Sequence, residues 1–230
     1  MRKGFAICSY LLFGILTLSY IILELTPTYS MGVIFRLTAT LSACVFLYLG
    51  SWLLAKGLES EQQKYLMKHT FRLMFAVYLV LLLTFTLFDP LLGRSISLNK
   101  WTFPAMFAWF GKTTNLVPFR MINIYLQGYQ EELITLNQLA MNLLGNFILL
   151  MPLAYIAPLL NPKLRKFRKF LGFILIFIIS IELAQGILMV GYFDVDDLML
   201  NLAGALLVFG FSKIKVIRSL TDKITFEAFS

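Results

Sequence analysis

Six apolar runs, most of them near 20 residues long, constrain this chain more than any other feature of its sequence. A helix of about 20 apolar residues crosses the hydrocarbon core of a bilayer. Only 14% of the 230 residues are charged and 59% are hydrophobic, whereas a soluble domain carries about 25% charged residues. The chain is therefore predicted to be an integral membrane protein. The predicted spans are 5–25, 33–55, 71–88, 139–160, 170–190 and 198–211.

The distribution of positive charge predicts how these spans are oriented. Fifteen of the 20 Lys and Arg residues lie before the first span, after the sixth, or in and next to the second and fourth connectors. Lys and Arg accumulate on the cytoplasmic side of membrane proteins. The fold class predicted is all-α, a polytopic membrane helix bundle of six transmembrane helices with both termini in the cytoplasm. This arrangement accounts for the net charge of +8 without a nucleic-acid partner.

Polar side chains concentrate in the outer half of the last three predicted spans. Residues three or four apart share one helix face, and most of these side chains lie roughly 6 to 14 Å below the outer boundary at the helical rise per residue. Three such pairs are present, namely Asn142 with Asn146, Glu182 with Gln185, and Asp197 with Asn201.

Two interpretations of this polar layer are open. The side chains could only join helices by hydrogen bonds, aided by the small residues Gly145, Ala203, Gly204 and Ala205. Alternatively, they could line a polar pocket open to the outer surface. The carboxylates exceed what packing requires, which favours the pocket.

Three Asp residues stand in the stretch GYFDVDDLMLN at 191–201, at the start of the last span. Capping of a helix N-terminus accounts for one acid and not for three. Asp194 is expected to precede the helix, and Asp197 to point into the polar layer. Asp196, which is rotated away from Asp197, is expected to be largely solvated.

The long outer connector contains the aromatic stretch WTFPAMFAWF at 101–110. It is too short to span a bilayer, and its Trp and Phe residues are typical of an interfacial or re-entrant segment. Pro118 biases Val117 towards an extended conformation, so residues 112–120 are predicted to form an ordered turn rather than a helix. This turn would bring Lys112 and Arg120 to the side of the three Asp, either as a tether between loops or as part of a ligand site.

Four blocks follow one another in a fixed order: TNLVPF (114–119), NLLGNFILLMPLAY (142–155), IELAQ (181–185) and FDVDDLMLNLAGALL (193–207). In this order and with these spans between them, they resemble the VanZ-like family of bacterial membrane proteins. The motif positions carried over are Asn115, Pro118, Phe119, Asn142, Asn146, Pro152, Glu182, Gln185, Asp194, Asp197 and Asn201. The chain departs from the family at Gly191, where an Arg is frequent, and at Ala154, where a Gly is usual.

The resemblance also divides the chain. Residues 71–213 are predicted to form a VanZ-like core of four transmembrane helices with a long extracytoplasmic loop at 89–137. Residues 1–56 carry two additional N-terminal transmembrane helices, 57–70 form a cytoplasmic connector and 214–230 a cytoplasmic tail. The family implies a location in the bacterial cytoplasmic membrane and an effect on susceptibility to glycopeptide antibiotics of the teicoplanin type, and it supplies no agreed reaction.

Two functions from different classes fit these observations. The first is a non-enzymatic cell-envelope protein whose polar site at the outer leaflet binds a lipid, a lipid-linked wall precursor or a lipophilic glycopeptide. Its candidate ligand-binding residues are Asn115, Arg120, Asn142, Asn146, Glu182, Gln185, Asp194, Asp197 and Asn201. The second is a membrane enzyme that acts on a lipid-linked phosphate, in which Asp194, Asp197 and Glu182 hold Mg²⁺ or Ca²⁺. A transporter is disfavoured because the inner halves of the last three spans are almost wholly apolar.

Overall fold

The computed structural model describes residues 1–26, 32–89, 94 and 100–229, so part of the predicted loop 89–137 lies outside the described residues. Ten α-helices lie in these ranges. They are α1 (Arg2–Leu25), α2 (Val33–Ala55), α3 (Ser60–Leu83), α4 (Phe103–Thr113), α5 (Arg120–Gln130), α6 (Leu136–Leu149), α7 (Met151–Leu160), α8 (Phe167–Leu188), α9 (Val195–Phe211) and α10 (Lys215–Ile224). A π-helical turn at Thr84–Phe88, a 3₁₀ turn at Pro162–Arg165 and two short strands, β1 (Thr114–Asn115) and β2 (Phe193–Asp194), complete the description.

Five helical stretches are long and apolar enough to cross a membrane. They are Arg2–Glu24, Val33–Ala55, Ser60–Phe88, Leu136–Leu160 and Phe167–Leu188. Helix α9 makes a sixth only if it is counted together with α10, from which a bend separates it. The prediction of an all-α protein with several membrane-type helices is thus confirmed. Six spans were predicted, five are long and apolar enough, and the sixth depends on counting α9 with α10. The orientation of the termini stays a prediction.

Two predicted spans differ from the helices observed. Helix α3 begins at Ser60, so most of the predicted connector 57–70 is helical. The predicted span 139–160 is interrupted at Leu150, between α6 and α7. Pro152 follows this break at the start of α7; a proline has no N–H to donate to the preceding turn, so the helical ladder is interrupted there.

The chain forms two compact units, Met1–Leu81 with Ile214–Ser230, and Leu82–Lys213. In the first unit a chain of hydroxyls joins three helices. The Tyr10 and Ser51 hydroxyls share a hydrogen bond of 2.9 Å, and the Thr70 hydroxyl donates to Ser51 Oγ at 2.7 Å. Near the other end of α1 and α2, the Arg36 guanidinium donates twice to the Glu24 carboxylate, at 2.9 and 3.0 Å. Such bonds satisfy polar groups that lipid would leave without partners.

The core of the second unit is built from α7, α8 and α9. Phe170, Ile174 and Ile178, spaced by four residues, form a buried stripe along α8, as expected of one helix face. The Phe170 ring stacks on Phe209 of α9 with centroids 4.1 Å apart. Apolar packing therefore fills the part of the unit where α8 begins and α9 ends.

The connector before α6 contains short helices rather than an unbroken turn. Helix α4 starts at the N-cap Thr102, whose hydroxyl accepts from Ala105 N at 3.2 Å. The prediction of an ordered turn over 112–120 is wrong at both of its ends, since Lys112 belongs to α4 and Arg120 begins α5. Both indoles of this segment bond to the chain at the end of α8: Trp101 Nε1 donates to Ile187 O at 2.8 Å, and Trp109 Nε1 to Gly191 O at 2.9 Å.

Helices α6 and α9 make the closest backbone approach at a glycine of the second unit. A Cβ atom built on Gly204 would lie 1.8 Å from Phe147 O. The small-residue prediction therefore holds for Gly204. It does not hold for Gly145, whose added Cβ would meet nothing within 4 Å.

We expect Gly204→Ala to lower the free energy of unfolding by on the order of 3 kcal/mol, because the added methyl meets backbone that cannot move aside cheaply. The control is Gly145→Ala, which we expect to be neutral or to stabilise by up to about 1 kcal/mol through its better helix propensity. Denaturant unfolding of the detergent-solubilised protein measures both. Equal effects of the two substitutions would contradict the close α6–α9 contact.

Candidate functional site

The buried faces of α8 and α9 change from apolar to polar towards the same end of the second unit. On α8 the stripe Phe170, Ile174, Ile178 continues, four residues on, with Glu182, which is buried. On the antiparallel α9, buried Asn201 precedes the apolar part of the helix. The polar residues of the two helices are thereby brought together, as the sequence predicted from their helical spacing.

A short parallel pairing adds a third segment to this polar end. Strand β1 pairs with β2, with Thr114 opposite Phe193 and Asn115 opposite Asp194. Asn115 Nδ2 donates to Asp194 Oδ1 at 2.9 Å, and the Asp194 N–H donates to Glu182 Oε2 at 3.3 Å. Asn115, Glu182 and Asp194 are all buried. We call these residues, together with Asn146, Asp196, Asp197 and Asn201, the carboxylate–amide cluster.

Asp194 is the N-cap of α9, in agreement with the prediction that it precedes the helix. Its Oδ1 accepts from Asp196 N at 2.9 Å. Burial raises the pKa of the Asp194 carboxyl above its ordinary value; the bonds from Asp196 N and Asn115 and the Arg120 charge oppose this rise, and the Asp196 charge adds to it. The carboxyl is therefore held in an environment that disfavours its ionised form.

Asp196 corrects the sequence prediction, which expected a largely solvated side chain. It is only 1% exposed. Its carboxylate accepts three backbone N–H groups around the start of α5, from Phe119 at 2.5 Å, Met121 at 2.8 Å and Ile122 at 3.1 Å. The first N–H groups of a helix have no partner within it, and the positive end of its dipole favours an anion. Asp196 supplies that anion from another segment of the chain.

Asp197 points into the cluster, as predicted. Asn146 Nδ2 donates to Asp197 Oδ1, and Asn201 Nδ2 donates to Asp197 O at 2.9 Å. Asn142 was expected beside Asn146, but its Nδ2 bonds to Gln138 O of its own helix. The structure therefore brings Asn146 and not Asn142 to the cluster.

Gln185 lies on the same face of α8 but bonds elsewhere. Its Nε2 donates to Thr86 O at 2.9 Å, within the π-helical turn. A π-helical turn leaves the regular hydrogen-bond ladder, so its carbonyls are open to side chains. Gln185 thus fastens α8 to this turn, which is a structural role beside the cluster.

Arg94 is a cation of the site that the sequence analysis missed. Its Nη1 donates to Val190 O at 2.9 Å. Its positive charge interacts electrostatically with the carboxyl groups of both Glu182 and Asp197. A Cβ on Gly191 would lie 2.3 Å from Arg94 Nη1. An arginine from the loop thus occupies the space that a side chain at 191 would take, at the position where the resembled family often has Arg. The two positions are distant in sequence, so no local pattern could have indicated their contact.

Lys112 and Arg120, the two cations that the sequence did suggest, are exposed rather than buried in the cluster. Arg120 is exposed at the start of α5, and its charge reaches Asp194. Lys112 is exposed in the last turn of α4 and makes no ion pair with an Asp within the described ranges. Further along α5, burial raises the pKa of the Tyr125 phenol, and the charges of Asp197 and Asp194 raise it further.

The candidate metal ligands Asp194, Asp197 and Glu182 lie in one cluster, but they face different partners. Within the part of the chain that the structure describes, no three His, Cys, Asp or Glu side chains converge as metal ligands would. Mg²⁺ and Ca²⁺ require six or more oxygen ligands in most sites. The metal site therefore stays a prediction that this geometry does not favour.

The fold and this cluster together define a polytopic helical membrane protein with a buried polar centre at one end of its second unit. A family model described as VanZ/LLP1 matches residues 75–216, which is more than half of the chain. The chain belongs to this family, and the resemblance read from the four sequence blocks is confirmed. No curated protein and no solved structure matches the chain.

We expect Asp196→Asn to lower the free energy of unfolding by about 2–3 kcal/mol, because three backbone N–H groups lose a carboxylate acceptor on a buried residue. The control is Glu61→Gln on α3, where a side chain that is 88% exposed should change stability by less than about 0.5 kcal/mol. Thermal and denaturant unfolding in detergent measure both variants. If Asp196→Asn is as stable as Glu61→Gln, the assigned structural role of Asp196 is wrong.

Proposed function

We propose that this VanZ/LLP1-family protein is a cell-envelope protein of the bacterial cytoplasmic membrane that binds an amphiphile at the carboxylate–amide cluster. The amphiphile is a membrane lipid, a lipid-linked wall precursor or a lipophilic glycopeptide, which share a polar head and an apolar chain. Binding of this amphiphile alters the susceptibility of the cell to glycopeptides of the teicoplanin type. The family supports the membrane location, and the site supports the ligand class.

One observation carries the ligand class: the buried polar cluster adjoins exposed apolar side chains. Asn115, buried in the cluster, is followed directly by Leu116 and Val117, which are 67% and 57% exposed. On α4, which leads into the same strand, Phe103 and Phe107 are exposed as well. Binding sites of this kind hold a ligand by a few polar groups and a larger apolar surface. A polar head at the cluster would leave its chain along these residues.

The proposal includes an orientation. The excess of Lys and Arg on one side of the spans supports cytoplasmic termini, and with an even number of crossings the connector between α8 and α9 faces outwards. The cluster then lies in the outer leaflet, where lipid-linked wall precursors and external glycopeptides are encountered. Counting α9 with α10 as the sixth crossing is part of this proposal.

The alternative of a membrane enzyme is less favoured by the geometry. Asp196 is engaged by three backbone N–H groups and Asp194 by Asn115 and the start of α9. These carboxylates hold the fold together, which leaves Glu182 and Asp197 as the acids with capacity for a ligand. Two such acids suffice to bind the polar head of a ligand, and no further catalytic group is required.

We expect a cysteine at position 192 to react with a membrane-impermeant thiol reagent in intact cells, and cysteines at 68 and 166 to react only after lysis. Tyr192, Lys68 and Lys166 are all exposed in the structure, so burial will not mask them. The background must lack Cys8 and Cys44. Labelling of position 166 from outside would reverse the proposed orientation.

We expect Glu182→Gln and Asp197→Asn to move teicoplanin susceptibility most of the way to that of cells lacking the protein, because each replaces a carboxyl group of the cluster with an amide. Ser180→Ala is the control, since among the described residues the Ser180 hydroxyl bonds only to Ile176 O of its own helix. The measurement is the minimum inhibitory concentration at equal membrane levels of each variant, beside a glycopeptide without an acyl chain. Wild-type susceptibility of both charge variants would refute the function.

A further inference from the structure

The four carboxylates of the cluster are unequally compensated by the protein. Asp196 and Asp194 are matched by the N–H groups and the Asn115 amide described above. Glu182 accepts one backbone N–H at 3.3 Å, and Asp197 accepts from the Asn146 amide. The charge of Arg94 reaches both of these acids. Among the described residues, the charge of Arg94 thus acts on two carboxyl groups at once.

Asn201 provides a second, independent observation at the same place. The residue is 6% exposed and lies one helical turn from Asp197 on the same face of α9. Its Nδ2 is taken by Asp197 O, while its Oδ1 is buried and has no donor within the described residues. A buried acceptor without a donor is destabilising, so natural proteins seldom leave one unless a ligand or water supplies the donor.

We propose that the acceptors of Glu182, Asp197 and Asn201 form a site for a primary ammonium group. This inference rests on the proposed function, because it names the chemistry of the polar head that the cluster takes. An ammonium group carries one positive charge and three N–H donors. It therefore supplies a positive charge in addition to that of Arg94, and a donor for the Asn201 oxygen.

Other ligand classes match these residues less well. An anionic head would meet an excess of carboxylates. A quaternary ammonium has no N–H to give and is recognised by aromatic faces rather than by oxygen acceptors. A divalent ion would be favoured by converging carboxylates, and no three His, Cys, Asp or Glu side chains converge within the described residues.

The ammonium group could belong to an aminophospholipid or to a small free amine, and the test separates these sources. The full-length protein in detergent is offered phosphatidylethanolamine, phosphatidylcholine and phosphatidylglycerol with identical acyl chains, and bound lipid is counted by native mass spectrometry. We expect phosphatidylethanolamine to be retained over phosphatidylcholine by at least about tenfold, the ratio that one charge-assisted hydrogen bond supplies. Free ethanolamine is added in a second arm. Displacement of the lipid assigns the site to amines in general, and lack of displacement assigns it to the lipid head; either result supports an ammonium site.

Three variants tie the preference to the site. Asn201→Leu keeps the side-chain size but removes the acceptor, and Glu182→Gln replaces one carboxyl group with an amide that cannot become anionic. Each should abolish the preference for phosphatidylethanolamine. Ser180→Ala should preserve it. If Asn201→Leu does not fold, Glu182→Gln decides the question alone.

Two results overturn the inference: equal retention of phosphatidylethanolamine and phosphatidylcholine by the wild type, or an unchanged preference in the folded variants. Failure here is distinct from failure of the proposed function. Lipid retention without head-group preference, together with altered glycopeptide susceptibility of Glu182→Gln, would remove the ammonium site and leave the amphiphile-binding function standing.

Discussion

The carboxylate of Asp194 joins the segments on which the candidate site depends. This carboxylate accepts from the Asn115 amide and from the first turn of α9. The backbone N–H of Asp194 donates to the Glu182 carboxyl group on α8. A pairing of two residues per strand is too short to be stable by itself. The side-chain bond between Asn115 and Asp194 therefore fixes the register of β1 against β2. Through β1 it also sets where α5 begins, and hence where Asp196 finds its three N–H donors.

Much of the architecture could be predicted because its causes are local in sequence. Helix α2 has the predicted bounds, since its apolar run is limited by Gly32 and Lys56. The inward positions of Glu182 and Asn201 followed from helical periodicity, which is a property of each helix alone. The VanZ-type blocks added the family, which the family model confirms over residues 75–216. Such features need no knowledge of how one segment meets another.

The errors at the polar site concern contacts between segments distant in sequence. Asp196 was expected in solvent because nothing in the neighbouring sequence indicates that a helix from another segment begins against it. Asn142 and Asn146 share a face of α6, but α6 crosses α9 where Gly204 meets Phe147. Only the asparagine nearer to that crossing reaches Asp197. The Arg94 guanidinium beside Gly191 belongs to the same class of contact.

The indoles of the connector have a practical consequence. The chain has three tryptophans. Trp101 and Trp109 donate to the carbonyls of Ile187 and Gly191 at the end of α8. Gly191 also lies against Arg94. The third, Trp52, lies in the first unit with the Lys56 ammonium 3.3 Å from its ring centroid. Replacing Trp52 by Phe would leave two tryptophans, both bonded to the end of α8 beside the carboxylate–amide cluster. In such a variant, intrinsic tryptophan fluorescence would report ligand binding at the carboxylate–amide cluster, so titrations need no chemical label.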